Sequence, residues 1–296
     1  MKISENRDSV FRRFDWGGLC GAKFAAILVI VLAGCATGGL TRLAGDLFVP
    51  PEQEIKLGQQ FAAEIPKEYK ICTDEVIQAY VRDVGTQIAT AASKDRSDVT
   101  YTFTVIDDPE QVNAFAVPGG YIYVFTGLML FAENEAELAS VLGHEAGHIV
   151  GRHSANQLGA RIGLSLVSSV ALGQNPTLLQ QIVASMATTG SVLKFSRDDE
   201  READSLGLKY TIQGGYDPNA MVSFMQRLHK KSGAGDSEVA AFLSTHPLTS
   251  ERIGNLQVEM AKYGKTKGTL NEKAFKRIQE QIKALPKDGS ATSTAK

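Results

Sequence analysis

The sequence predicts an α+β fold that is mostly helical, with a small hairpin packed on a central helix. Residues 133–150 combine helix-forming residues with an apolar stripe at helical spacing, and they enclose the motif HEAGH at residues 144–148. Upstream, residues 113–125 contain two runs of aromatic and β-branched residues on either side of a Pro-Gly-Gly sequence, which is typical of a hairpin. An alternating run at residues 99–106 predicts a further strand.

The composition is that of a globular protein. The chain has 296 residues, of which 43% are hydrophobic and 22% are charged, so it is long enough for one large domain or two modest ones. The formal net charge is −2, and nothing in this charge balance indicates a nucleic acid as partner. We therefore expect no nucleic-acid binding.

The N-terminus is typical of a secretory signal rather than of a folded domain. Basic residues precede the apolar run at residues 24–33, which suits a signal-peptide core but is too short to span a bilayer comfortably. The run ends in Leu-Ala-Gly-Cys at residues 32–35, which resembles a bacterial lipobox. We expect residues 1–34 to be removed and Cys35 to be lipidated as the mature N-terminus. An uncleaved anchor helix and an ordinary signal with a coincidental cysteine are the alternatives.

The residue after the lipobox cysteine bears on location. It is Ala36 rather than aspartate, and by resemblance to lipoprotein sorting this favours the periplasmic side of the outer membrane. Anchoring in the inner membrane is the alternative. Acyl chains make a strong anchor, since each buried CH₂ contributes about 0.8 kcal/mol.

The rest of the chain divides by composition. Residues 37–49 contain three glycines, and we interpret residues 35–50 as a linker before a main domain at residues 51–285. The small and polar residues 286–296 predict a disordered tail. Only Cys72 is left after processing, so we expect no intrachain disulfide and a part-buried structural thiol.

Several stretches have helical periodicity. Those with a clear apolar stripe or cap are residues 52–65, 74–92, 219–228, 257–263 and 271–285. The apolar residues 158–192 are harder to interpret, because Arg161 and the Gln-Asn pair at 174–175 interrupt them. We predict a buried helical hairpin there. A mobile or membrane-facing flap near the active site is the alternative.

The HEAGH motif predicts a metal site. His144 and His148 are four residues apart, so on a helix they share one face and can bind one Zn²⁺ through imidazole nitrogens. Glu145 points about 100° away around the helix axis. It therefore lies beside the metal, where it can take a proton from water.

A charged helix start about fifty residues downstream predicts the third ligand. Glu200 and Asp204 are also four residues apart. A catalytic zinc site needs a third protein ligand, which Glu200 can supply. Asp204 can then accept the second N–H of a ligand histidine and fix its tautomer. Glu202 is the competing carboxylate for the ligand position.

Two further segments are candidates for the site. His246 precedes a proline in a turn, which makes it a candidate site group, whereas His229 is expected only near a helix end. Asn113, Ala114, Phe115 and Ala116 lie on a predicted strand before the zinc helix. An edge strand there favours substrate capture by backbone pairing, and a plain core hairpin is the alternative.

These segments together resemble metallopeptidase family M48. The matching motifs, in chain order, are NAFAVPGGYIYVFTGL, HEAGH, SRDDEREAD and THPLTSERI. The family is a gluzincin family that includes the HtpX heat-shock protease, the CAAX prenyl endopeptidases and the mitochondrial Oma-type proteases. The resemblance covers residues 52–263 and implies a gluzincin core with one zinc ion per chain.

The resemblance also assigns roles to individual residues. It implies zinc ligation by the three residues proposed above, with Glu145 as general base and Asp204 behind a ligand. It places His246 near the zinc, the strand at residues 113–117 on the substrate side, and Arg252 as a structural or oxyanion-side partner. HtpX and the prenyl endopeptidases are multi-span membrane enzymes, and this sequence has no such helices. It therefore resembles the compact periplasmic lipoprotein members instead, and prenylated substrates are not expected.

The expected activity is peptide-bond hydrolysis by zinc-activated water, with Glu145 taking the proton and returning it to the leaving amine. Substrates would be misfolded or misassembled cell-envelope proteins. His246 would either stabilise the oxyanion or occupy the fourth zinc position and silence the enzyme. A zinc-stabilised chaperone or a scaffold lipoprotein in outer-membrane protein assembly is the alternative. Glu145 favours the enzyme, since a pure binder needs the ligands but not the base.

Overall fold

The structure is a computed structural model that describes residues 38–161, 194–233, 237–264 and 266–286. The predicted signal peptide, Cys35, most of the predicted hairpin at 158–192 and almost all of the predicted tail lie outside these residues. The strands are β1 (Thr102–Ile106), β2 (Ala114–Val117) and β3 (Tyr121–Phe125). The helices are α1 (Gly38–Phe48), α2 (Pro51–Glu68), α3 (Glu75–Ala92), α4 (Thr126–Phe131), α5 (Glu135–Val150), α6 (Arg197–Gln213), α7 (Asn219–Gly233), α8 (Ala240–Thr245), α9 (Ser250–Lys262) and α10 (Glu272–Lys283).

The predicted α+β fold class is confirmed, and so is the hairpin. β2 and β3 pair antiparallel, with Phe115 opposite Tyr123. The turn between them needs glycine, because Gly119 and Gly120 have φ angles of 80° and 100°. β1 joins the other side of β3 in parallel, so the strand order is β1-β3-β2 and β2 forms an edge.

α5 is the central helix. Asn134 caps it by accepting a hydrogen bond from the backbone N–H of Glu137 at 3.0 Å. Every residue from Glu135 to Ile149 is buried, because α3, α6, α7 and β2 surround the helix. A helix buried on all faces can keep polar groups only where they find partners, and three of the six buried polar side chains of α5 are those of the HEAGH motif.

α5 and α6 approach each other closely through glycines. A Cβ on Gly147 would lie 2.8 Å from the carbonyl oxygen of Ala203, and a Cβ on Gly207 would lie 2.9 Å from the Cα of His144. Gly143 contacts the same part of α6, since its Cβ would lie 3.0 Å from the Gly207 carbonyl oxygen. Backbones this close place short side chains of one helix directly against the other.

The segment predicted as a linker, residues 35–50, is mostly helical in its described part. Residues Gly38–Phe48 form α1, with Ala44 buried and Leu43 and Leu47 exposed. Burial of Ala44 and Val49 outweighs the glycines, which lower helix stability by only about 1 kcal/mol each. The chain then turns at Pro50, and Pro51 starts α2, as the residues Pro50-Pro51 predict.

A buried ion network fixes α2 to the end of the central helix. The Glu54 carboxylate accepts two hydrogen bonds from Arg96, both at 2.9 Å, and one from the Arg152 Nε at 2.9 Å. Arg96 also donates to the carbonyl oxygen of Ile149 at 2.6 Å. That carbonyl lies in the last turn of α5 and also accepts a hydrogen bond from the backbone N–H of Arg152 at 3.0 Å. Within the described residues, no helix is both long and apolar enough to traverse a lipid bilayer.

The glycine contact generates a stability prediction. Gly207→Ala forces a methyl group into the backbone of α5, so we expect the free energy of unfolding to fall by about 1–3 kcal/mol. Gly254→Ala is the matched control, since its Cβ meets nothing within 4 Å on α9, and it should raise stability by up to about 1 kcal/mol. Urea denaturation of both variants measures the difference. Equal effects of the two substitutions would contradict the close approach of α5 and α6.

Candidate active site

Four side chains form one buried cluster. Ligand atoms of His144, His148, Glu200 and His246 all lie within 4.8 Å of one another. The two Nε2 atoms of His144 and His148 are 3.1 Å apart. Glu200 reaches both of them, with a carboxylate oxygen 3.6 Å from His144 Nε2 and another 3.5 Å from His148 Nε2. The structure thus brings together the three residues that the sequence predicts as ligands.

The start of α6 explains why Glu200 faces the cluster. Ser196 and Asp199 form a capping box, with reciprocal hydrogen bonds of 3.1 Å and 3.0 Å between side chain and backbone. This fixes the first turn of α6, and Glu200 follows directly. Glu202, the competing carboxylate in the sequence, lies on another face and contacts His153 Nε2 at 3.5 Å. Glu202 therefore does not join the cluster.

Asp204 lies behind His144, as the sequence predicts. One of its oxygens is 3.0 Å from His144 Nδ1. Arg252 holds the same carboxylate with two hydrogen bonds of 2.8 Å and 2.7 Å, and its third nitrogen lies 2.5 Å from Glu200. Arg252 is 5% exposed. Of the two roles that the sequence leaves open for it, these contacts support the structural one.

His246 is part of the cluster rather than merely near it. Its Nδ1 lies 3.1 Å from Glu200 Oε1 and 3.3 Å from His144 Nε2. Its Nε2 lies 3.4 Å from Glu145 Oε1. The residue caps the C-terminus of α8 and is 1% exposed. His229, by contrast, is exposed near the end of α7.

Sequence reasoning missed two residues that contact His148. His153 places its Nδ1 2.8 Å from His148 Nδ1, and Phe195 stacks on the imidazole ring with centroids 3.9 Å apart. The His153 contact depends on the turn at Arg152, whose φ is 56°. The Phe195 contact joins distant parts of the chain. A sequence signal for His153 existed only in its position shortly after HEAGH.

Burial and charge set the carboxylate pKa values. Burial raises the pKa of Glu145, which suits a group that accepts a proton. Burial also acts to raise the pKa of Asp204, but the Arg252 guanidinium outweighs it and the net shift is downward. Burial also acts to raise the pKa of Glu200. The interactions of Glu200 with His246 and with the histidines of α5 outweigh this effect and hold its pKa well below the usual range.

The two histidines of α5 differ. Burial acts to lower the pKa of His144, but its contacts with Asp204 and Glu200 raise the pKa to about 10. Burial dominates for His148 and lowers its pKa well below the ordinary value. The difference follows from the groups at Nδ1, because a carboxylate stabilises a charged imidazole and the neighbouring His153 ring does not.

The donor set fits zinc. Two imidazole nitrogens and one carboxylate are the protein ligands of a known type of catalytic zinc site, and their ligand atoms converge here. Both carboxylate oxygens of Glu145 are buried without a hydrogen-bond partner among the described residues. Buried carboxylates without partners are costly, which is the arrangement expected where water and a cation complete a site.

Comparison with known proteins decides the family. The sequence pattern of Peptidase family M48 matches residues 75–260, which include the whole cluster. The chain belongs to Peptidase family M48. Peptidases of this family use zinc, in agreement with the donor set. The predicted resemblance and the predicted cofactor are confirmed.

Three curated relatives illustrate the range of the family. The beta-barrel assembly-enhancing protease of Yersinia pestis is 28% identical over 69% of this chain and 43% of its own length. That of Escherichia coli K12 is 27% identical over 69% and 43%. The mitochondrial metalloendopeptidase OMA1 of Schizosaccharomyces pombe is 36% identical over 54% and 47%. The chain thus spans less than half the length of each of these relatives.

The pKa of His144 generates a prediction about metal binding. Near pH 8 the metal-free imidazole is protonated, because its pKa is about 10, and a ligand histidine must be neutral. Zinc binding should therefore release about one proton, and zinc affinity should rise as the pH rises from about 7 to 9. Calorimetry in buffers of different ionisation enthalpy measures the release.

A carboxamide variant is the control for this experiment. Asp204→Asn removes the nearest carboxylate that raises the His144 pKa, so the proton release should shrink. A binding enthalpy for the unmodified protein that does not depend on the buffer would show that the pKa of His144 lies below the working pH.

Proposed function

We propose that this protein is a zinc metalloendopeptidase. The observation that carries the proposal is the position of Glu145, which is buried beside the converging ligands without a hydrogen-bond partner in the described part of the chain. Zinc held by His144, His148 and Glu200 would supply Lewis acidity and lower the pKa of water toward about 7. Glu145 then takes the proton from the attacking water and returns it to the leaving amine.

The edge strand supports peptide binding. The backbone N–H of Phe125 donates to the Asn113 carbonyl at 3.0 Å, so in the antiparallel ladder Ala114 and Ala116 turn their backbone groups away from β3. The Ala116 carbonyl already accepts from the Ser154 hydroxyl at 3.1 Å. Ala114 therefore offers the outward backbone groups to an extended substrate.

Asn113 adds a side-chain contact to this strand. Its residue is 1% exposed, and its Oδ1 has no hydrogen-bond partner among the described residues. A buried amide oxygen without a donor costs free energy until a donor arrives. We assign Asn113, Ala114, Phe115 and Ala116 to the substrate-binding edge, with the Asn113 oxygen accepting an N–H of the peptide.

His246 is proposed to hold the enzyme in a resting state. Its Nδ1 lies among the ligand atoms at 3.1–3.3 Å from Glu200 and His144, which is the position of a fourth ligand. A catalytic zinc site must keep this position open for water or substrate. Activation then requires His246 to leave this position, whereas stabilisation of the oxyanion by His246 is the alternative role.

The setting is proposed to be the bacterial envelope. Two relatives bear the name beta-barrel assembly-enhancing protease, which supports misfolded or misassembled envelope proteins as substrates. We propose lipidation of Cys35 as the membrane anchor on the periplasmic side of the outer membrane, with residues 51–285 as the peptidase domain. The lipobox sequence at residues 32–35 supports the anchor.

The first test asks whether Glu145 acts as the general base without being needed to bind zinc. Glu145→Gln keeps the size of the side chain and all metal ligands, so it should bind one zinc per chain and lose casein cleavage by at least about 10²-fold. Zinc content and cleavage are measured on the same sample. Full function of this variant in cells would instead favour the chaperone or scaffold alternative, and absence of zinc from the unmodified protein would contradict the proposal.

The second test concerns the resting state. If His246 occupies the fourth position, His246→Ala should raise casein cleavage by about tenfold or more, because activity scales with the fraction of open sites. Loss of an oxyanion donor would lower kcat by about 10²–10³ instead. His229→Ala is the matched control and should change neither zinc content nor cleavage. A fall in cleavage with zinc retained would reject the resting-state role.

A further inference from the structure

We propose that His153 is a positioning residue that fixes the tautomer and the ring orientation of His148, and that α1 completes this arrangement through Arg42. The proposal rests on the zinc site of the proposed function. It assigns a role to a histidine outside the four-residue cluster, and it connects the N-terminal helix of the described chain to one metal ligand.

The first step concerns the two imidazole rings. His148 directs Nε2 toward His144 and Glu200, so a metal bound there needs the lone pair of Nε2. A neutral imidazole has one N–H donor and one acceptor nitrogen, and the proton of His148 must therefore lie on Nδ1. This N–H points at His153 Nδ1, 2.8 Å away. His153 can serve only as the acceptor in this bond.

The second step fixes the tautomer of His153. Because its Nδ1 accepts, its own proton lies on Nε2. That nitrogen faces two carboxylates, with Glu202 at 3.5 Å and Asp199 at 3.7 Å. Both carboxylates favour an N–H in this position, so the orientation of each ring determines that of the next. Second-shell partners of this kind raise ligand basicity and hold the ring in place.

The third step reaches α1. Arg42 forms an ion pair with Glu202, and the side chain of Arg42 is 52% exposed. This ion pair completes a series of contacts that runs from His148 through His153 and Glu202 to α1. The other ligand of α5 has a parallel path, from His144 through Asp204 to Arg252. Each proposed histidine ligand is thus supported by a series of side-chain contacts that ends in an arginine.

Packing shows that the His153 ring is held rather than free to rotate. The residue is 1% exposed. A Cβ on Gly151 would lie 2.3 Å from His153 Nε2, so the glycine is what makes room for the ring. Phe195 stacks on the adjacent His148 ring, with an interplanar angle of 26°. His153 Nε2 makes no hydrogen bond among the described residues, so the carboxylates at 3.5 Å and 3.7 Å act on it electrostatically. The 2.8 Å contact between the two Nδ1 atoms is therefore the one through which replacement of His153 should affect His148.

The test measures zinc affinity with a competing chromogenic chelator on the full-length protein. His153→Leu removes both nitrogens and should weaken zinc binding by about 10–100-fold. His153→Asn keeps an acceptor oxygen near the position of Nδ1 and should restore affinity to within about fivefold of the unmodified protein. His229→Leu, in an exposed histidine, should leave zinc affinity unchanged. The visible absorption spectrum of the Co²⁺-loaded proteins reports the ligand geometry independently of activity.

A second pair of variants tests the proposal if His153→Leu does not fold. Circular dichroism of the metal-free proteins checks folding, and if His153→Leu does not fold, Glu202→Gln and Arg42→Met replace it. Both should weaken zinc binding by about two- to tenfold. Unchanged zinc affinity in folded variants, or equal losses in His153→Leu and His153→Asn, would overturn the proposal while leaving the zinc site intact. Absence of zinc from the unmodified protein would instead reject the proposed function.

Discussion

The close approach of α5 and α6 is the constraint on which the site depends. Glycines at the contact bring the backbone of Gly207 against His144 and that of Ala203 against Gly147. At this distance a carboxylate on the first turn of α6 reaches the imidazole nitrogens of α5 directly. A wider crossing would leave Glu200 short of them. Helix packing therefore determines the ligand geometry, and the ligands in turn explain why glycine occupies these positions.

The charges inside this contact need compensation. Glu145, Glu200 and Asp204 are all buried, and among them Arg252 is the cation that contacts two of the three. Burying unbalanced charge costs several kcal/mol per ion, so the cluster favours binding a dication. Two of the same carboxylates, Asp204 and Glu200, raise the pKa of His144 to about 10. Metal and proton compete for one anionic site.

Local sequence predicted the site better than the fold around it. The ligands follow from residues four apart on two helices, and the hairpin follows from its turn, so these parts depend on short stretches of chain. The parallel pairing of β1 with β3 joins distant segments and has no local signal. The contacts of Phe195 and His153 with His148 likewise arise only when the chain is folded. The three glycines of α1 do not indicate a helix, which forms because Ala44 and Val49 are buried against the rest of the fold.

The segment that carries His246 is hydrogen-bonded to the residue before the proposed substrate strand and to Phe195. The segment that leads into α8 accepts a hydrogen bond at Glu238 from the backbone of Val112, directly before the substrate residues. The end of α8 accepts another at Thr245 from Phe195, the residue that stacks on His148. In the proposed mechanism a peptide that pairs with Ala114 binds next to the first of these bonds. His246 directly follows Thr245, so the second bond lies next to the residue that the proposed mechanism displaces. In the proposed mechanism, substrate binding and displacement of His246 would therefore act on the same short segment, and a bound peptide would favour the active state only by interacting better with it than with the resting one.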